Sequence, residues 1–80
     1  MQHLVDVRSP AEFHMGHAPG AVNIPVDQLA IKLSKGCKMK TNEEITLYCA
    51  SGGRAGVAKT LLERAGYTKV TNAGGLANVL

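Results

Sequence analysis

Short apolar runs alternate with stretches of helical periodicity along all 80 residues. Leu4 to Val7 reads as a buried strand. Ser9-Pro10-Ala11-Glu12 then has the form of a capping box, with Ser9 as N-cap, Pro10 at the first helical position and Glu12 reaching back, so a short helix is predicted to about Met15 and a stop at Gly16. Ala21 to Ile24 reads as a second strand, closed by Pro25. Val26 to Leu33 places apolar residues at 26, 29, 30 and 33, a helix stopped near Gly36, and Lys38 to Glu44 is a polar connection. The run Ile45-Thr46-Leu47-Tyr48 ends at Cys49, and after a small-residue loop a helix is predicted from Arg54 to Ala65, with Ala55, Ala58, Leu61, Leu62 and Ala65 on one stripe and Gly66 at C′. Tyr67 to Thr71 is expected as the last strand.

Strands alternating with helices imply an α/β fold, a mostly parallel sheet with helices on both faces. Such sheets bind ligands beyond the carboxyl ends of their strands, an edge that would bring together Asp6 to Arg8, Cys49 and Asn72 to Gly75. Length agrees with a single domain over residues 1–80. An aromatic share of 4% means that the core must be built from Val, Leu, Ile and Ala.

The chemistry concentrates at Cys49. A parallel strand delivers its last side chain to the carboxyl edge, and the loop Ala50-Ser51-Gly52-Gly53-Arg54 is small enough for successive backbone N–H groups to turn inward around the sulfur. Converging N–H groups, the positive end of the following helix and the Arg54 guanidinium all favour the thiolate. A free thiol near ~8.5 is only a few per cent ionised at neutral pH, so this lowering makes a nucleophile that needs no separate base. The competing reading, a small buried hydrophobe closing a strand, does not account for the loop.

Two blocks of the chain resemble the rhodanese superfamily of sulfurtransferases. Leu4-Val5-Asp6-Val7-Arg8-Ser9-Pro10-Ala11-Glu12-Phe13 with Gly16-His17 and Gly20-Ala21-Val22-Asn23-Ile24-Pro25 is similar to the family's amino-terminal pattern. Cys49-Ala50-Ser51-Gly52-Gly53-Arg54-Ala55 is similar to its active-site block, and Ala73-Gly74-Gly75-Leu76 to its Gly-Gly turn. The brevity of the chain looks most like the minimal single-domain type, the phage-shock-protein E group. The resemblance implies a rhodanese-like sheet of four or five strands without the usual first edge segment, with the chain ending inside a last helix. It also implies a thiosulfate sulfurtransferase in which Cys49 is the catalytic residue and carries the sulfur as a persulfide. Ala50, Ser51, Gly52, Gly53 and Arg54 would bind the donor, and the acceptor would be cyanide, a small thiol or a protein thiol. Ala50 departs from the pattern: many active members carry there a basic residue that holds a sulfonate.

A net charge of +3 is spread thinly and reads as solvated surface. Nucleic-acid binding would need a clustered basic stripe with stacking aromatics, which is absent from the sequence. No apolar run approaches the roughly 18 residues of a membrane span. Met1-Gln2-His3 has no basic n-region, so either a cytoplasmic chain or a mature chain trimmed for the periplasm is expected, as a monomer. Neither a cofactor nor a metal is implied: His14 and His17 lack a carboxylate or thiol at ligand spacing, and two cysteines make no four-ligand site. His17 is expected to hydrogen-bond the turn leading to Gly20, Arg8 to pair with Glu12, and Cys37 to be an exposed loop thiol. Two rivals remain at this level. The phosphatases and arsenate reductases of the same fold resemble this chain but space cysteine and arginine as C-x5-R, whereas here four residues intervene. A non-catalytic binding or redox module would ordinarily have lost its cysteine.

Overall fold

The computed structural model describes residues 3–80. Met1 and Gln2, on which the reading of the amino terminus partly rests, lie outside them. Strands β1 (His3–Asp6), β2 (Val22–Asn23), β3 (Ile45–Cys49) and β4 (Val70–Gly75) form one sheet in the order β2-β1-β3-β4. Every pairing is parallel. Helices α1 (Pro10–Met15), α2 (Val26–Lys35) and α3 (Gly53–Arg64) alternate with the strands, and a 3₁₀ turn over Leu76–Val79 follows β4. No helix among the described residues is long and apolar enough to cross a membrane.

The side-chain alternation of β1 and β3 sorts the chain into two faces. Val5, Ile45, Leu47 and Cys49 join Leu29 of α2 and Ala55, Ala58 and Leu62 of α3 in one buried cluster. Tyr48 points the other way and is fully buried, its hydroxyl oxygen accepting from the Ala18 N–H at 3.1 Å, so the segment after α1 covers the second face. Chain direction across the sheet reverses between β1 and β3. From β1 the chain moves outward to β2, and from β3 outward to β4, so the crevice where a parallel sheet takes ligands opens at the ends of these two central strands.

The capping box is formed: Ser9 Oγ accepts from the Glu12 N–H at 3.3 Å, and Glu12 Oε1 accepts from the Ser9 N–H at 3.2 Å. Helix α2 stops at Lys35 with Gly36 as its C-cap, where the stop was expected, and α3 begins and ends one residue earlier than expected. The last strand departs further. Tyr67 to Thr71 was the expected span, but Tyr67 is turned inward, and its hydroxyl donates to the Met39 carbonyl oxygen. Burial of that ring takes Tyr67 out of the sheet and β4 starts at Val70. Ala73-Gly74-Gly75, expected as a turn, is the paired end of β4, with Gly75 opposite Cys49 after an irregularity in register. Met39, placed by pattern in a polar connection, belongs to the core.

Candidate active site

Cys49 ends β3 and is 1% exposed, while Ala50, Ser51 and Gly53 around it are exposed. The loop folds as its small residues demand. Gly52 takes the left-handed conformation with φ 99° as N-cap of α3, and a Cβ there would stand 3.3 Å from Gly74 Cα. Only glycine tolerates both constraints. The turn aims the first amides of α3 at the sulfur. The Gly52 N–H donates to Cys49 Sγ at 3.0 Å and the Ala55 N–H at 3.4 Å.

Burial pushes the Cys49 thiol up, since a charged sulfur loses its hydration. The backbone N–H groups of Ala55, Ser51, Gly52 and Arg54 outweigh that and hold it below the ordinary thiol value. Of the expected loop residues, Ser51, Gly52 and Arg54 turn their N–H groups toward the sulfur, and Ala55, one residue beyond the expected span, joins them. Ala55 escapes pattern reading because it looks like any apolar position on the α3 stripe. Only the helix start, one residue earlier than expected, brings its N–H to the sulfur.

Arg54 does not act alone. Its Nη1 donates to Glu12 Oε1 at 2.7 Å and its Nη2 to Glu12 Oε2 at 3.0 Å, a two-pronged pair between the start of α3 and the first turn of α1. The guanidinium, together with the Ser9 backbone and hydroxyl, holds the Glu12 carboxyl down at about 2. This corrects the expected Arg8–Glu12 pair. Arg8 is 7% exposed and folds back on Asp6, which is fully buried: Nε donates to Oδ1 at 3.0 Å and Nη2 to Oδ2 at 2.7 Å. A buried guanidinium needs a buried counter-charge, and Asp6 is the carboxylate within that space. Burial would raise the Asp6 carboxyl, but hydrogen bonds from Arg8 and Tyr48 keep it low. Nη2 of Arg8 also reaches the Gly16 carbonyl at 2.6 Å, and the guanidinium lies 5.7 Å from the Tyr48 ring centroid. Asn23 completes this corner by donating to the carbonyls of Asp6 at 3.0 Å and Arg8 at 2.9 Å. These groups brace the end of β1 beside the cradle.

Two further expectations change. His17 does not bond the turn toward Gly20. Its ring stacks on Phe13 at 3.6 Å, with Nδ1 against the Phe13 carbonyl at 2.9 Å, because the apolar ring face and a carbonyl at the end of α1 are both within its reach. Cys37 is half-buried rather than exposed, since the chain after α2 turns inward to bury Met39. It lines a cavity of about 470 Å³ with His3, Val22, Lys32 and Lys38, which shares no residue with the Cys49 loop.

The carboxyl-terminal strand supplies contacts that pattern reading assigned only to a general rim. Gly75 pairs with Cys49, and a Cβ on it would meet the Ala50 carbonyl oxygen at 2.5 Å. Asn72 donates from Nδ2 to the Gly52 carbonyl at 3.1 Å and accepts at Oδ1 from the Gly74 N–H at 2.8 Å. The spacing Asn72-x-Gly74-Gly75 is visible in the sequence, but nothing local says that it touches the loop.

An open parallel sheet that presents a thiol inside a ring of helix-capping amides at its switch point defines a protein built to handle sulfur or small oxyanions. The particular family is then settled by comparison: residues 1–79 match the rhodanese-like domain, and the chain belongs to that family. It is 37% identical over 78 residues to thiosulfate sulfurtransferase PspE of Escherichia coli, covering 98% of this chain and 74% of that protein. It is 33% identical over 78 residues to a thiosulfate:glutathione sulfurtransferase of Saccharomyces cerevisiae, covering 85% of this chain and 56% of that one. Among solved structures, a rhodanese with anions from E. coli superposes with a TM-score of 0.87 at 35% identity, covering 99% of this chain and 92% of that one. The human single-domain sulfurtransferase TSTD1 gives 0.81 at 34% identity, with coverages of 88% and 72%. The enzyme class expected from the sequence, a sulfurtransferase, is the one that the named bacterial, yeast and human relatives carry.

Proposed function

We propose that this domain transfers sulfane sulfur from thiosulfate, or a donor of the same form, to a thiol or cyanide by way of a persulfide on Cys49. The convergence of backbone N–H groups on Cys49 Sγ carries the proposal. The thiolate attacks the outer sulfur of the donor. A new S–S bond forms at Sγ, the donor's S–S bond breaks, and its electron pair leaves with sulfite. An acceptor thiolate then attacks the outer sulfur of the persulfide, takes it, and returns Cys49 as thiolate. Electrons balance within these two displacements, and no general base is required because both nucleophiles enter ionised. The amides of Ser51, Gly52, Arg54 and Ala55 face negative sulfur before and after each displacement and stabilise it in the manner of an oxyanion hole.

Near-complete burial of Sγ supports a donor whose reacting atom protrudes singly, as the outer sulfur of thiosulfate does. A phosphoryl centre enclosed by oxygens fits that mouth poorly, in keeping with the four-residue spacing between Cys49 and Arg54. The names of the relatives support thiosulfate as the donor to test first. Intact mass spectrometry of the purified protein, before and after thiosulfate, is the direct test. The expected result is a gain of one sulfur, removed by a reductant and absent from Cys49→Ser. No gain, or a gain that survives the substitution, would overturn the assignment.

A further inference from the structure

Asn72 is an exposed residue on β4, yet both atoms of its carboxamide are engaged within the protein. The carboxamide orientation is unambiguous, because the group facing Nδ2 is a carbonyl and the group facing Oδ1 is an N–H. The carbonyl belongs to Gly52, the residue whose N–H lies 3.0 Å from Cys49 Sγ. The same carbonyl accepts the first helical bond of α3, from the Gly56 N–H at 2.9 Å. Gly52 is thus held on one side by the sulfur and on the other by Asn72 and α3. A glycine at φ 99° has wide conformational freedom, and nothing in its own side chain keeps its N–H on the sulfur. Gly74, itself at φ 87°, turns its N–H back to Oδ1 and fixes the carboxamide in place.

We propose that Asn72 is the positioning residue of the sulfur cradle, anchoring Gly52 through its carbonyl, on the Gly52–Gly53 peptide, so that the adjoining Ser51–Gly52 peptide keeps its N–H on Cys49. The proposal rests on the function assigned above to that cradle, and deepens it: the loop that binds sulfur is shaped from outside, by β4. Asn72 makes no contact with the sulfur itself. Aspartate would keep the acceptor for Gly74 but offer no donor to Gly52, and serine would be too short to serve both.

The test uses Asn72→Ala and the isosteric Asn72→Asp, each in a Cys37→Ser background so that a single thiol reports. The readouts are the pH dependence of Cys49 alkylation, the thermal midpoint, and thiosulfate kinetics resolved into kcat and KM. Both variants are expected to titrate Cys49 at higher pH, to alkylate about fivefold more slowly at neutral pH, and to lose kcat more than they raise KM. High salt screens the charge that aspartate adds, so Asn72→Asp should remain as impaired there as Asn72→Ala. Folded variants with a wild-type thiol titration would overturn the proposal and leave Asn72 a stabilising residue only. Wild-type behaviour of Asn72→Asp in high salt would overturn it in favour of the Gly74 contact, and a rise in KM alone would make Asn72 a substrate contact instead. If Asn72→Ala does not fold, Asn72→Asp decides. Alkylation does not depend on turnover, so failure of the sulfurtransferase assignment would be seen separately.

Discussion

Gly75→Ala is the substitution whose effect is most directly readable from the geometry. Gly75 has φ −95° and ψ 167°, an extended conformation that alanine adopts freely, so no backbone strain enters. What enters is a contact: the new Cβ would lie 2.5 Å from the Ala50 carbonyl oxygen, where ordinary contact begins near 3.4 Å. Both partners are backbone, so no flexible side chain can yield, and the Ala50–Ser51 peptide or the end of β4 must shift by a large part of an ångström. That peptide leads directly into Gly52, whose N–H is 3.0 Å from Sγ. Hydrogen bonds to charged groups contribute about 1.5–3 kcal/mol, and losing the lower end of that range slows sulfur transfer about tenfold. Overpacking should also cost roughly 1–3 kcal/mol of stability. The assays are thiosulfate:cyanide kinetics, alkylation of Cys49 against pH, and thermal melting. Gly56→Ala is the control, since its Cβ would meet only Asn72 Nδ2 at an ordinary 3.6 Å and should gain about 0.5–1 kcal/mol of helix stability. A folded Gly75→Ala protein with wild-type turnover and thiol titration would refute the reasoning, because the close approach of β4 would then not shape the loop.

Three further outcomes are expected. Ala50→Arg adds a cation at the exposed rim and should lower the KM for thiosulfate about threefold, an effect that fades in salt; an unchanged KM at low ionic strength would mean that position 50 faces away from the donor. Inserting one glycine between Gly52 and Gly53 makes the spacing C-x5-R and spreads the amides, so sulfur transfer should fall at least about tenfold, and a wild-type rate would show that loop length does not select the substrate. The Glu12 carboxyl is lowered from 4.5 to about 2, so its pairing with Arg54 stabilises the fold fully above pH 4.5 and the benefit is lost as pH falls toward 2. Melting curves of wild type and Glu12→Gln should accordingly converge across that window, and a gap that stays constant to the acid end would contradict the ion pair.

Local chemistry in the sequence determined much of this protein. The capping box at Ser9 and Glu12, the apolar run ending at Cys49 and the glycines after it each act over a few residues, and each forms where its own pattern places it. The α/β class follows from the alternation of these elements, and the candidate nucleophile from its place at a strand end before a helix. What the sequence could not decide is which distant groups meet. Glu12 satisfies its capping role and the charge of Arg54, 42 residues away, with the same carboxylate, and nothing near either residue announces the pair. Tyr67 continues a strand-like run, yet burying its ring against Met39 outweighs local propensity and moves the start of β4. Ala55 serves the sulfur through a backbone N–H that every residue type possesses, and Asn72 and Gly75 act on a loop about 20 residues earlier through contacts made only when β4 pairs with β3. Hydrogen bonding and steric exclusion are short-ranged in space, while the chain separations here are long. The sequence by itself therefore determined the elements and the candidate nucleophile, and only the tertiary structure decided what holds the loop around it.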